Sequence, residues 1–284
     1  RDDRPRRDFG GDSRGPRRDY GGGNRGRGYQ GRDDREQREQ RHSRPPQHVR
    51  ADREPEPDLP DDVTPQMLDK TVRRGLRSLS KDNAEQVARH LVMAGILIGE
   101  DPKTANQHAQ AAVRRAGRID VVREAAGLTA YYAEDFDTAR RELATYRRLS
   151  NSVEHLVIEA DCERGLGRPE KAIELAQSDL AERLDIVDRV EMAIVASGAR
   201  IDMGQPEAAL IALKGLVGPK GDRVLAARVA LARDAVLREL GREEEGAALL
   251  AKFTPGELEE AEFPVSELDD PEPDAVLVTD TFLT

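Results

Sequence analysis

The fold is decided by the hexapeptide Gly204–Ala209 (GQPEAA), which has four counterparts elsewhere in the chain. The counterparts are Glu100–Ala105 (EDPKTA), Glu134–Ala139 (EDFDTA), Gly167–Ala172 (GRPEKA) and Gly241–Gly246 (GREEEG). The small residues that close these hexapeptides, at positions 105, 139, 172, 209 and 246, are separated by 34, 33, 37 and 37 residues. A recurring period of about 20–50 residues indicates a repeat architecture.

Each hexapeptide lies between two helical patterns. A segment of about 12–14 residues precedes it, and apolar positions at i, i+4 and i+7 follow it, as in Ala209, Leu213 and Leu216. Proline is suited to the first turn of a helix and glycine to the residue after its end. The residues that fit these boundaries are Pro102, Pro169 and Pro206 at helix starts and Gly204 and Gly241 at helix ends. The pattern therefore predicts five helix pairs.

Over roughly residues 84–253, this pattern resembles the tetratricopeptide repeat (TPR) family. In that family a small residue of the first helix meets a small residue early in the second, so that the two helices cross closely. The first-helix position holds Gly127, Ala160 and Ser197 in the middle repeats, but Met93 and Asp234 in the outer ones. The tryptophan of the family is absent, and its usual tyrosine position holds Ile96, Ala130, Glu163, Arg200 and Leu237. The resemblance implies an all-α, TPR-like αα-solenoid of about five helix pairs, and a generic αα-solenoid is the alternative.

Three segments are expected along the chain. Residues 1–60 are a low-complexity tail rich in Arg, Gly and Pro, which cannot bury enough apolar surface to offset its ordering entropy. Residues 61–256 form the helical repeat domain. It begins with a capping helix over 65–79, for which Thr64 is a plausible N-cap. Residues 257–284 form an acidic tail, also expected to be disordered, with 10 Asp or Glu and no Lys or Arg between 257 and 280.

Charge is divided unevenly between the N-terminal tail and the remainder of the chain. The first 50 residues hold 15 Arg and 9 Asp or Glu, a net charge of +6, whereas the remaining residues carry −16. The segment 14–29 interleaves arginines and tyrosines with glycines and resembles the RGG-type segments of RNA-binding proteins. Its candidate nucleic-acid contacts are Arg14, Arg17, Arg18, Tyr20, Arg25, Arg27 and Tyr29. Contact with proteins, condensation, and a solubilising tail of self-neutralising Arg/Asp pairs are the alternatives.

A second candidate surface follows from the family resemblance. In a TPR-like solenoid, side chains of the first helices point into an inner groove that holds an extended protein segment. The residues that this geometry would place in the groove are Glu124, Tyr131, Tyr132, Asp161, Arg164, Ile194, Ile201, Arg228 and Arg238. The adjacent tyrosines stand out because aromatic residues make up only 4% of the chain.

Little in the sequence supports catalysis or metal binding. The five histidines (His42, His48, His90, His108 and His155) never fall three or four residues apart, so no metal site is predicted. His90 and His155 are interpreted as helix-face residues. The single cysteine, Cys162, is interpreted as a small buried packing residue. No nucleophile, general base or cofactor cradle is recognisable, and no cofactor or small-molecule substrate is expected.

The sequence thus predicts a non-enzymatic scaffold that binds protein partners through the groove. The alternative is an RNA- or ribosome-associated factor that uses the Arg/Gly-rich tail. No stretch approaches the roughly 20 apolar residues of a membrane span, and a single cysteine is compatible with a reducing compartment. A cytoplasmic protein is therefore expected.

Overall fold

A computed structural model of the chain describes residues 55–216 and 221–262. In this part the chain forms α-helices and short 3-10 helices and contains no strand, which confirms the all-α prediction there. The α-helices are α1 (Lys70–Gly75), α2 (Lys81–Leu97), α3 (Pro102–Ala116), α4 (Asp120–Tyr132), α5 (Phe136–Ser150), α6 (Leu156–Gly165), α7 (Pro169–Ala176), α8 (Ile186–Asp202), α9 (Pro206–Ala212), α10 (Arg223–Glu239), α11 (Glu243–Leu250) and α12 (Pro255–Glu262). The 3-10 helices are Pro65–Met67, Leu76–Ser78 and Ala181–Arg183.

The five predicted helix pairs are present as α2/α3, α4/α5, α6/α7, α8/α9 and α10/α11. The second helix of each pair also contacts the first helix of the next pair. First helices contact one another as well, at α2/α4, α6/α8 and α8/α10, and α12 packs against α10. The prolines expected at helix starts, at positions 102, 169 and 206, begin α3, α7 and α9.

In four of the pairs, the first helix is joined to the second by the same type of turn. One residue in each turn has a left-handed backbone, with φ of 60° at Glu134, 68° at Gly167, 70° at Gly204 and 69° at Gly241. In each turn the next residue donates its N–H to the carbonyl five residues earlier, at 2.8 or 2.9 Å. This is the Schellman helix end, and its φ favours glycine because a side chain is strained there. The roles predicted for Gly204 and Gly241 are therefore confirmed.

Small residues let the two helices of a pair approach closely. A Cβ atom added at Gly127 in α4 would lie 2.5 Å from Cδ2 of Leu143 in α5, whose side chain is fully buried. In the α8/α9 pair, the Ser197 hydroxyl donates to the Ala209 carbonyl at 3.2 Å. In the last pair the small residue lies in the second helix instead of the first. Gly246 of α11 leaves space for the larger Asp234 of α10.

The predicted capping helix over residues 65–79 is wrong in detail. The chain leaves the helical conformation at Leu68, where φ is −82° and ψ is 141°. The Asp69 side chain then caps the six-residue α1, which is flanked by two 3-10 helices. Leu68, Val72 and Leu76 are nevertheless buried, so the apolar pattern was read correctly but does not need one continuous helix.

The C-terminal boundary also differs from the expectation. Pro255 begins α12 rather than ending the helical region, so the helices continue to Glu262, past the boundary placed at residue 256. Arg223 binds Glu257 with its Nε at 2.8 Å, and Arg228 donates to the Ala261 carbonyl at 3.1 Å. These contacts fix α12 to α10. The two predicted disordered tails lie mainly outside the described residues, apart from 55–60 and 257–262.

None of the helices within 55–216 and 221–262 combines the length and the apolar character that crossing a membrane requires.

Candidate functional site

A chain of hydrogen bonds joins polar side chains of three first helices, α4, α6 and α8. The Tyr131 hydroxyl donates to Asp161 Oδ2 at 2.7 Å, and Arg164 donates to Asp161 Oδ1 at 3.0 Å. Nε of Arg164 also donates to Asp202 Oδ2 at 2.9 Å. We call Tyr131, Asp161, Arg164 and Asp202 the polar chain. Three of its four members were among the predicted groove residues, and Asp202 was missed.

Local packing keeps the polar chain in place. A Cβ atom at Gly198 would lie 2.6–2.8 Å from the Arg164 guanidinium, so a larger residue at this position would displace the guanidinium from its place against α8. Burial opposes the charge of Arg164, but Asp202 and Asp161 outweigh it and raise its pKa above the ordinary value. Burial and the Asp161 carboxylate raise the pKa of Tyr131, which therefore remains a neutral hydrogen-bond donor.

Tyr132 lies at the α4 end of the polar chain and is 44% exposed. Its ring meets the Tyr131 ring edge to face, with the centroids 6.0 Å apart and the planes at 83°. The Tyr131 ring also packs against Phe136. One tyrosine of the pair is thus held in the packing, while the other is free to contact a second molecule.

Four other predicted groove residues take no part in the hydrogen bonds of the polar chain. Ile194 and Ile201 are half-buried and pack against the apolar clusters of α8, α9 and α10. Arg228 binds Glu191 of α8 and a carbonyl of α12, so it joins helices. The side chain of Arg238 is 64% exposed and pairs with Asp234 four residues earlier.

Glu124 belongs to a separate cluster with Glu154 and His155. It is only 3% exposed, and its Oε1 lies 2.7 Å from His155 Nε2. One oxygen of each glutamate and a ring nitrogen of His155 all lie within 4.8 Å of one another. We call these three residues the acid–histidine cluster. Burial raises the pKa of Glu124, although the hydrogen bond from His155 opposes the rise.

Histidine spacing does not reveal this cluster, because two of its three members are glutamates. The interpretation as helix-face residues holds for His90, which lies within α2, and is wrong for His155. His155 precedes α6 as its N-cap and is buried, while His90 is buried against His108 of α3. A local signal was available in the pair Glu154-His155 placed directly before a helix, but its partner Glu124 lies 31 residues from His155.

Cys162 is fully buried in α6, which confirms its interpretation as a packing residue. Burial and the neighbouring carboxylates raise the pKa of its thiol to about 12, so it does not form a thiolate at neutral pH.

A half-open pocket of about 550 Å³ lies between α7, α8 and α9. Ile173, Leu184 and Met192 contribute apolar walls, and Arg189 and Arg200 contribute guanidinium groups. Two of the helices that line the pocket are short second helices, α7 with 8 residues and α9 with 7.

The candidate nucleic-acid contacts between Arg14 and Tyr29 lie outside the described residues. Comparisons with protein-family models, with curated proteins and with solved structures each gave no match for this chain.

Proposed function

We propose that this chain is a non-enzymatic scaffold that holds a protein segment along the first helices of a TPR-like solenoid. The observation that carries the proposal is the polar chain, which links α4, α6 and α8 through side chains that are only partly buried. A row of fixed donors and acceptors across successive helices suits an extended ligand that contacts several repeats at once.

The solenoid arrangement is supported by the recurring turn. The left-handed residues at 134, 167, 204 and 241 are 33, 37 and 37 residues apart, the same steps as in the sequence repeat. Because these turns lie within pairs, between a first helix and its second helix, they favour a similar crossing of the two helices in each of the four pairs. The close approach of Gly127 to Leu143 favours TPR-like crossing in the second pair, whereas Asp234 departs from the family pattern in the last.

The chemistry of this surface favours a partner segment with basic side chains. Asp161 and Asp202 keep 29% and 39% of their side chains exposed, and Tyr132 adds an exposed aromatic ring beside them. Carboxylates attract Lys and Arg, and an exposed tyrosine can stack on a guanidinium. The net charge of −16 over residues 51–284 acts in the same direction at longer range.

The proposal is tested by site-specific photo-crosslinking of the full chain in cells. Benzoylphenylalanine is introduced at Tyr132 in α4 or at Leu149 in α5, positions that are 44% and 47% exposed. We expect defined protein adducts from position 132 and few from position 149, because the proposed groove is lined by first helices. Adducts that form equally at both positions, or only at 149, would contradict the proposal.

A second function, association with RNA or the ribosome, is favoured by the sequence of the Arg/Gly-rich tail. Arginines that neutralise phosphates release counterions, so binding weakens with salt, with a slope of about 0.7 per contact on single strands. Replacing Arg14, Arg17, Arg18, Arg25 and Arg27 with Gln should lower the log–log salt slope of binding to total RNA by up to about 3.5. An unchanged slope would exclude the tail as the RNA-binding segment.

A further inference from the structure

In residues 55–216 and 221–262, every buried carboxylate except one is paired with an arginine. Four of the five have an arginine within ion-pair distance: Glu142 with Arg123, Glu159 with Arg147, Glu163 with Arg140 and Arg168, and Asp234 with Arg238. The exception is Glu124, whose hydrogen-bond partner among these residues is His155. A buried carboxylate normally requires a full positive charge nearby. Glu124 has an imidazole as its partner instead.

Further acids surround the same place. Glu154 has an oxygen within 4.8 Å of a Glu124 oxygen, and Asp120 lies one helical turn before Glu124 in α4. In α8, burial and the neighbouring carboxylates of Asp185 and Glu154 raise the pKa of Asp188 to about 6. In the part of the chain that the structure describes, no arginine or lysine lies within ion-pair distance of Glu124, Glu154 or Asp188, and His155 is the partner of Glu124. A bound cation would offset the repulsion between these carboxylates.

We propose that Glu124, Glu154 and His155 form a binding site for a divalent transition-metal ion, of which Zn²⁺ is the best fit. Zinc takes imidazole nitrogen and carboxylate oxygen at about 2.0–2.2 Å and commonly uses three protein ligands with water in the remaining position. The three ligand atoms already lie within 4.8 Å of one another, so small side-chain rotations bring them onto one ion. Ca²⁺ is a poorer fit because it prefers six to eight oxygens.

The surroundings of the cluster suit a metal site. The Tyr146 hydroxyl donates to Glu154 Oε2 at 3.1 Å, and the Tyr146 ring packs against the His155 ring with the centroids 5.2 Å apart. These contacts orient two of the three ligands, as residues around metal sites commonly do. Glu154 is half-buried, which gives the ion a path from solvent, whereas Glu124 and His155 lie inside. The site also joins α4 to the start of α6, so the ion would stiffen one inter-pair contact.

The experiment is a Zn²⁺ titration of the chelator-stripped full chain, followed by competition with a zinc-binding dye. The variants Glu124→Gln and Glu154→Gln keep the size of the side chain and remove its charge. His48→Gln, which changes a histidine in the tail, is the matched control. Glu154→Gln is the safer variant for folding because that residue is half-buried, and circular dichroism checks that each variant is folded.

We expect one Zn²⁺ per chain at the cluster and wild-type affinity in His48→Gln. Each glutamine variant should bind at least about tenfold more weakly, since even the loss of an outer-shell partner costs roughly 10–100-fold. X-ray absorption of the zinc-loaded chain should show imidazole and oxygen ligands and no sulfur. Equal affinity in wild type and both glutamine variants, the absence of saturable binding, or Ca²⁺ binding as tightly as Zn²⁺ would each overturn the proposal.

Discussion

The buried pair of His90 in α2 and His108 in α3 should make folding stability fall as the pH is lowered from 7 to 5. Their Nδ1 atoms lie 3.0 Å apart, and the residues are 1% and 2% exposed. One Nδ1 must donate and the other must accept, so at least one of the two rings has to be neutral. Protonating the acceptor replaces the hydrogen bond with two N–H groups that face each other and places a positive charge in the core.

The size of the effect follows from the pKa of His90. Burial, followed by the neighbouring His108, lowers this pKa from 6.5 to about 4, and the Glu56 carboxylate at 3.8 Å only partly opposes the shift. His90 therefore binds a proton near pH 6.5 in the unfolded chain, but only near pH 4 in the folded chain. The contribution of neutral His90 to folding stability is complete above pH 6.5 and is lost as the pH falls from 6.5 to about 4. Between pH 7 and pH 5 the loss from His90 amounts to about 2 kcal/mol, and burial lowers the pKa of His108 in the same direction.

The measurement is urea unfolding followed by circular dichroism at pH 7, 6 and 5. The double variant His90→Leu/His108→Leu removes both titrating groups, and His48→Gln serves as the control. The free energy of unfolding of wild type relative to the double variant should drop by about 2 kcal/mol or more over this range. The reasoning is refuted if wild type and the double variant lose stability in parallel, because other groups would then account for the pH dependence.

Three further substitutions test the packing and the turns. Gly127→Val should destabilise the fold by about 1–3 kcal/mol because the new side chain overlaps Leu143. Glu134→Gly should stabilise it by about 0.5–1 kcal/mol, since Glu134 has a φ of 60° at a turn position where three other repeats use glycine. Arg147→Met should cost about 3 kcal/mol, because it leaves the buried Glu159 without its two hydrogen bonds at 2.9 and 3.1 Å. All three are measured as changes in the free energy of unfolding in urea.

Each of these expectations has its own control. Gly127→Ala should fall between wild type and the valine variant, and a neutral valine variant would mean that the helices separate at no cost. Glu134→Ala should not stabilise, since alanine is strained at the same φ. The double variant Arg147→Met/Glu159→Met should recover most of the stability lost in the single one, and a double variant as unstable as the single would contradict the ion-pair argument.

The sequence was most informative where the backbone conformation depends on one residue type. Pro169 and Pro206 fit the first turn of a helix, and Gly204 and Gly241 fit a left-handed helix end, so the helix boundaries could be read from them directly. The period of the small residues then gave the number of pairs. All of these signals are local, and they were confirmed for the described part of the chain.

The sequence was least informative where the outcome depends on contacts between distant residues. Glu124 and His155 are 31 residues apart, and Arg164 and Asp202 are 38 apart, so no spacing rule connects them. The break at Leu68 was missed because its apolar spacing suits both a continuous helix and a 3-10 helix followed by a short α-helix. Such choices are decided by packing, which a single sequence does not display.

The lengths of the second helices predict a difference in mechanical strength between the N-terminal and the C-terminal helix pairs. The helices α3 and α5 have 15 residues each, whereas α7, α9 and α11 have 8, 7 and 8. A shorter second helix shares less interface with its neighbours, and stability in repeat proteins is close to a sum of such local interfaces. A force pulling on the two ends would extend the C-terminal pairs first and leave the N-terminal pairs folded. The array would therefore act as a spring with a soft end and a stiff end.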